Sequence, residues 1–286
     1  MMEVFDSTPC TLGEGPLWHP ERGQLFWFDI IGKTLFCREG QTLHQWRFDE
    51  NVSAAGWVDR DTLLIASETG LFRFDIETGR QCLVQTLEAD NAATRSNDGR
   101  ADPWGGFWIG TMGKNAEPKA GAIYRYYRGE LRRIVSHISI SNAICFAPDQ
   151  SCAYYTDTVD KIIRRQPLVP EDGWPLGEPE AFIDLRAEGF NPDGAVCDAD
   201  SYVWVAQWGA ARVARYAPDG RLVEVIEAPT DHVSCPAFGG QDLTTLFATT
   251  ARQGLSEQQL ADQPAGQTLS IETAFKGLPE PPVILE

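Results

Sequence analysis

The sequence has no CxxC pair, no cluster of Lys or Arg, only four histidines, and no apolar run close to the ~20 residues that span a bilayer. Each absence removes a class of function. Seven cysteines (Cys10, Cys37, Cys82, Cys145, Cys152, Cys197 and Cys235) are odd in number and scattered, which excludes a disulfide framework built on short spacings. The opening MMEVFDSTPC has neither a basic stretch nor an apolar one, so no secretory signal is expected and a reducing cytoplasm is. A net charge of -17 without a basic patch argues against a nucleic-acid partner, because phosphate binding needs local positive charge. The absence of a long apolar run argues against a membrane partner, and the acidity reads as a solvated surface. His19, His44, His137 and His232 show no HxH or HExxH spacing, GTMGKN at 110 to 115 lacks P-loop spacing, and no GxSxG elbow occurs. An oxygen-ligated metal is the chemistry left standing.

What the sequence does contain is repetition. Trp27, Ile65, Trp108, Tyr154, Trp204 and Phe247 anchor apolar strands roughly 38 to 50 residues apart, the period of four-stranded propeller blades. A small polar or acidic residue precedes each anchor by about eleven to thirteen positions: Glu14, Ser53, Asn97, Asn142, Asp193 and Ser234. Segments such as LFWFDI, TLLIAS, GFWIGTM and YVWVAQW are short, aromatic or β-branched, and bounded by Gly, Asp, Asn and Pro. IETGR and APDGR read as tight turns in which Gly79 and Gly220 supply positive φ. The pattern predicts an all-β, six-bladed propeller over 1–286, with the N-terminal segment closing the last blade. One helix is expected within LSEQQLADQ, with Ser256 as N-cap and Pro264 as its stop. In such a ring the six polar residues converge on one spot, and Glu, Asn, Asn and Asp make an incipient cage for a hard cation.

Three segments carry most of the chemistry. LGEGPLW isolates Glu14 between glycines, although a carboxylate so placed also suits an ordinary loop. RSNDGRADPW crowds Arg95, Asn97, Asp98, Arg100 and Asp102 ahead of a strand; NDG reads as a turn, yet Arg95 and Asn97 share side-chain parity and suit hydroxyls or a carboxylate. NPDGAVCDAD offers Asp193 in a PDG turn, with Asp198 and Asp200 expected to face solvent.

Together with SNAICFAPD and FGGQDLTTLFATTA, these segments resemble the regucalcin (senescence marker protein) and gluconolactonase family of six-bladed propellers, and among its members the bacterial sugar-lactone hydrolases. The resemblance implies one divalent cation (Ca²⁺, Zn²⁺, Mg²⁺, Mn²⁺ or Fe²⁺) in the central channel, held by Glu14, Asn142 and Asp193. It implies substrate contacts from Arg95 and Asn97. The loop after Met112 is shorter than in the family's animal members, so the acidic substrate contact they place there does not carry over directly: Asn115 or Glu117 fills that role, or nothing does. A metal-dependent hydrolysis of an aldonolactone or aldarolactone follows as the expected activity, with Asp193 doubling as general base. Other ester or phosphotriester hydrolysis on the same ion, and a non-enzymatic calcium-binding propeller, are the alternatives.

Overall fold

In the computed structural model, which describes residues 1–286, six four-stranded antiparallel sheets follow one another along the chain. Blade one pairs Gly13–His19, Gln24–Asp29, Thr34–Glu39 and Thr42–Arg47 in sequence order, and blades two to five repeat that meander. Blade six is composite: Val233–Gly239, Thr245–Thr250 and Thr268–Glu272 are completed by Glu3–Asp6 from the opposite end of the chain. This N-terminal strand covers the edge that the last blade would otherwise expose.

The first strands, among them Thr94–Ala101, Ser141–Phe146 and Asn191–Cys197, each contact the first strand of the next blade, and that of blade six contacts that of blade one. They therefore form a closed ring around the channel. The six apolar anchors all lie on second strands, which are buried along most of their length because neighbouring blades cover both of their faces. The core is correspondingly shared between blades: Phe26 and Phe28 of blade one pack with Leu63, Ile65 and Phe74 of blade two. A blade on its own would leave such a cluster in water. Outer strands such as Thr42–Arg47 alternate between exposed and half-buried positions.

Gly79 and Gly220 have φ of 70° and 85°, as their turns require. The one α-helix, Glu257–Asp262, begins at Ser256, whose side chain and that of Gln259 form a reciprocal capping box. No helix is long and apolar enough to cross a membrane.

The inner strands differ from the turns read in the sequence. NDG at 97 to 99 and PDG at 192 to 194 lie inside strands, where the register slips between Ser96 and Gly99 and between Pro192 and Ala195. Similar slips occur next to Glu14, Ser53, Asn142 and Ser234. A bulge re-aims a side chain without ending the strand, so one device is used six times around the ring.

A second device ties inner strands to third strands. Fully buried Asp102 accepts from Arg125 Nε at 2.6 Å and from the backbone N–H groups of Trp104 and Gly106. In blade five Asp198 does the same with Arg215 and with the N–H groups of Asp200 and Tyr202. Asp198 is thus buried, contrary to the expectation of solvent exposure, because it closes a turn and pairs with an arginine. Asp200 is exposed as expected. The C-terminal segment straps the ring through Val283 N–H to Trp57 O, Ile284 N–H to Gly105 O, and an ion pair between Glu280 and Arg100.

Asp102→Ala should cost about 3–5 kcal/mol, because it strands a buried guanidinium and two turn N–H groups. Glu180→Ala, which breaks the exposed pair with Arg165, should cost under about 1 kcal/mol. Urea unfolding of both variants measures the contrast.

Candidate active site

At the N-terminal ends of the inner strands a cavity of about 490 Å³ is lined by Glu14, Arg95, Asn97, Asn142 and Asp193, with Thr158, Met112, Trp208 and His232. Four of the six ring positions and Arg95 are therefore brought together from blades one, three, four and five. Ser53 and Ser234 are not. Ser53 Oγ donates to Ser96 Oγ at 2.8 Å and Ser234 Oγ to Gly13 O at 2.5 Å, so these two hydroxyls bind neighbouring strands. A short hydroxyl satisfied by the adjacent blade does not reach the channel.

One directed chain of hydrogen bonds organises the polar wall. Arg95 Nη1 donates to Asn97 Oδ1 at 2.7 Å; Asn97 Nδ2 donates to Asn142 Oδ1 at 3.1 Å and to Ser141 O at 2.9 Å. Asn142 Nδ2 donates to Thr158 Oγ1 at 2.9 Å, and that hydroxyl donates to Pro192 O at 2.7 Å, the residue before Asp193. The chain crosses three blades and fixes the direction of both amides. Asn142 Oδ1 keeps a second lone pair after accepting from Asn97. Arg95 Nη2 bonds nothing else in the protein, and Nε is buried without a partner.

The electrostatics are those of acids confined together. Burial, followed by repulsion from Asp98, pushes the Glu14 carboxyl up to about 8, opposed by the Gly15 N–H and Arg95. Burial and then Glu14 and Asp98 raise Asp193 well above the usual carboxylate range. Asp98, whose Oδ2 accepts from Ile144 N–H at 2.7 Å, is raised to about 6, chiefly by burial. Burial lowers Arg95 to about 10 even though Glu14 and Asp193 oppose that shift.

No basic side chain comes within 4.0 Å of Glu14 or Asp193. Buried carboxylates are ordinarily paired or bound to metal, so these two fit a divalent cation. No group of three or more His, Cys, Asp or Glu is gathered for a metal anywhere in the molecule. The donors available to such a cation in this cavity are the two carboxylates and the free lone pair of Asn142 Oδ1, all hard oxygens.

Asn115 and Glu117 do not line the cavity. They bond each other, Asn115 Nδ2 to Glu117 Oε1 at 2.9 Å, and the lining here is Ala116 of their loop with Met112 of the preceding strand. Thr158, Trp208 and His232 were not identified from the sequence. Thr158 and Trp208 follow or end second strands, where no ring position was sought; His232 stands two residues ahead of Ser234.

Comparison with known proteins gives the family and supports the fold. The family model described as SMP-30/Gluconolactonase/LRE-like region matches residues 12–252. The crystal structure of a calcium-binding protein, regucalcin, from Agrobacterium tumefaciens str. C58 superposes with a TM-score of 0.97 at 38% identity, covering 99% of this chain and 97% of that one. L-arabinolactonase of Azospirillum brasilense is 36% identical over 96% of this chain and 93% of its own length. 6-deoxy-6-sulfogluconolactonase of Pseudomonas putida is 32% identical over 96% and 95%.

In metal-free protein the stability associated with protonated Glu14 is fully present below about pH 4.5 and is lost as pH rises through about 8, since the folded chain holds that proton longer. Melting temperatures in chelator should fall across this window, and Glu14→Gln should flatten the fall. Added divalent cation should restore the melting temperature most at the alkaline end.

Proposed function

Because the chain belongs to the SMP-30/gluconolactonase/LRE-like family, we propose that it is a lactonase that opens a sugar lactone to the free sugar acid. The observation that carries this reading is the meeting of Glu14, Asn142 and Asp193 with Arg95 and Asn97 in one cavity. Glu14, Asn142 and Asp193 hold the divalent cation, which when bound supplies Lewis acidity for a carbonyl and lowers the pKa of water.

The remaining work belongs to side chains. Asp193 is the general base: a carboxylate placed at the cation is also placed to take a proton from the attacking water. Arg95 presents Nη2 to the lactone oxygens and then to the new carboxylate, while Nη1 stays anchored on Asn97. Asn97 holds that guanidinium and the Asn142 amide in register. Leu12, Met112, Ile140 and Trp208 supply the apolar part of the lining, which displaces water from the reacting ester.

A calcium-binding role without catalysis is the second reading, favoured by the description of the Agrobacterium regucalcin structure. Arg95 separates the two. A buffer gains nothing from a guanidinium near its ligands, because like charge weakens cation binding, whereas a hydrolase gains a substrate anchor.

Asp193→Asn, which keeps an oxygen donor, should retain cation binding by calorimetry and lose about 10²- to 10⁴-fold in kcat on aldonolactones or aldarolactones. A cation-loaded, fully active Asp193→Asn enzyme would remove the base assignment. Arg95→Ala should bind cation as well or better and lose hydrolysis, with part of the loss in KM. Unchanged hydrolysis in that variant, or no lactone opened with any of the five cations, would favour the calcium-binding reading.

A further inference from the structure

A second group of cavity-lining residues comes from blades five and six. Trp208 ends the second strand of blade five, His232 lies in the connection to blade six, and Gln253 follows the second strand of blade six. The indole and imidazole are stacked, centroids 4.1 Å apart and planes 17° from parallel, so they form one aromatic panel on the cavity.

The imidazole has a defined polarity. His232 Nδ1 lies 3.0 Å from the backbone carbonyl of Gln253. A carbonyl can only accept, so Nδ1 carries the hydrogen, and in the neutral ring Nε2 is left as a lone pair. Burial favours that neutral form by lowering the imidazole's pKa, against the opposing effects of the Gln253 carbonyl and Asp231. Nε2 bonds no other group of the protein.

The only α-helix holds the panel in place. Gln259 and Gln263 donate from their amide nitrogens to Asp231 Oδ2, each at 2.9 Å, and Gln263 Oε1 accepts from Asp231 N–H. Asp231 O accepts from the N–H groups of Gly209 and Ala211, immediately after Trp208, and His232 O accepts from Ala251 N–H. One residue thus fixes both members of the stack.

Around the rest of the cavity, Asn97, Asn142 and Thr158 are bonded to one another, and the carboxylates fit a cation. Among the nitrogens of its buried and half-buried side chains, Arg95 Nε and Nη2 and Trp208 Nε1 are uncommitted donors, and His232 Nε2 is the one uncommitted acceptor. A polyhydroxylated ring needs both, because each hydroxyl taken out of water must also place its hydrogen.

We propose that His232 is a substrate-binding residue whose Nε2 accepts a hydrogen bond from one hydroxyl of the sugar lactone, with Trp208 backing the imidazole, so that this panel selects hydroxylated lactones by the position of that hydroxyl. The assignment rests on the lactonase reading above and adds an acceptor that is not also a candidate ligand of the cation.

The test uses full-length protein with its divalent cation and a panel of sugar lactones with their monodeoxy counterparts. The wild type should lose roughly tenfold in kcat/KM at one deoxy position. His232→Phe keeps a ring against Trp208 but has no acceptor. It should raise KM on the parent lactone by about that factor with kcat little changed, and show no further loss at that one deoxy position. His232→Gln, with an amide oxygen in reach of the same hydroxyl, should recover part of the loss. Equal losses by His232→Phe on every lactone, or no loss on any, would overturn the assignment while leaving the lactonase reading in place. A wild type that opens no lactone would overturn the lactonase reading and this assignment with it.

Discussion

Glu14 and Asp193 are buried in the same small volume without an ion-pair partner, and the upper channel is arranged around their repulsion. Such a pair is tolerable only if a cation arrives, a proton stays, or nearby dipoles point the right way. The Gly15 N–H serves Glu14, and Arg95 favours the charged form of both acids from beyond ion-pair distance. Asp98 adds a third acid beneath them and worsens the problem. A surface evolved for stability alone would not keep three carboxyls so close. On the proposed reading these acids are a preorganised cation site whose cost is carried by the rest of the ring.

The rigidity that bears this cost comes from closure. Each inner strand is held laterally by two neighbours, apolar clusters bridge adjacent blades, and Glu3–Asp6 completes the last sheet. The buried pairs Asp102–Arg125 and Asp198–Arg215 lock the lower ends of two blades that carry site residues at their upper ends. Arg125 lies over Tyr127 and Trp174, and Arg215 over Tyr202 and Phe275, so neither guanidinium depends on its carboxylate alone. The C-terminal strap crosses back to blades two and three, where Val283 enters their shared core.

The two sides of the cavity are built differently, and the difference bears on chemistry. Residues of blades one, three, four and five come from bulged inner strands, whose positions are dictated by ring geometry. The Trp208–His232 panel comes from the last residue of a second strand and from a connection, and is braced by a short helix. Loops of this kind can change while the ring is preserved, and similar chains carry names with different substrates, L-arabinolactonase and 6-deoxy-6-sulfogluconolactonase. Substrate preference is thus expected to reside in the panel and the loops, and the hydrolytic step in the ring.

The sequence by itself determined the architecture, because an apolar second strand recurring at blade spacing has few other ways to be buried. Equivalent offsets in equivalent repeats pointed to Glu14, Asn97, Asn142 and Asp193, which line one cavity, and Arg95 followed from sharing the side-chain parity of Asn97. Tertiary structure alone decided what periodicity does not encode. Ser53 and Ser234 share the offset but are taken by adjacent strands, and NDG and PDG are bulges because neighbouring strands supply ladder partners that a local turn would not have. Asp198 is buried because Arg215, distant in sequence, lies across the sheet. Trp208 joins the site from the end of a second strand, Thr158 and His232 from connections whose paths are set by how blades pack, and the free lone pair on His232 exists only because the Gln253 carbonyl is brought beside its other nitrogen.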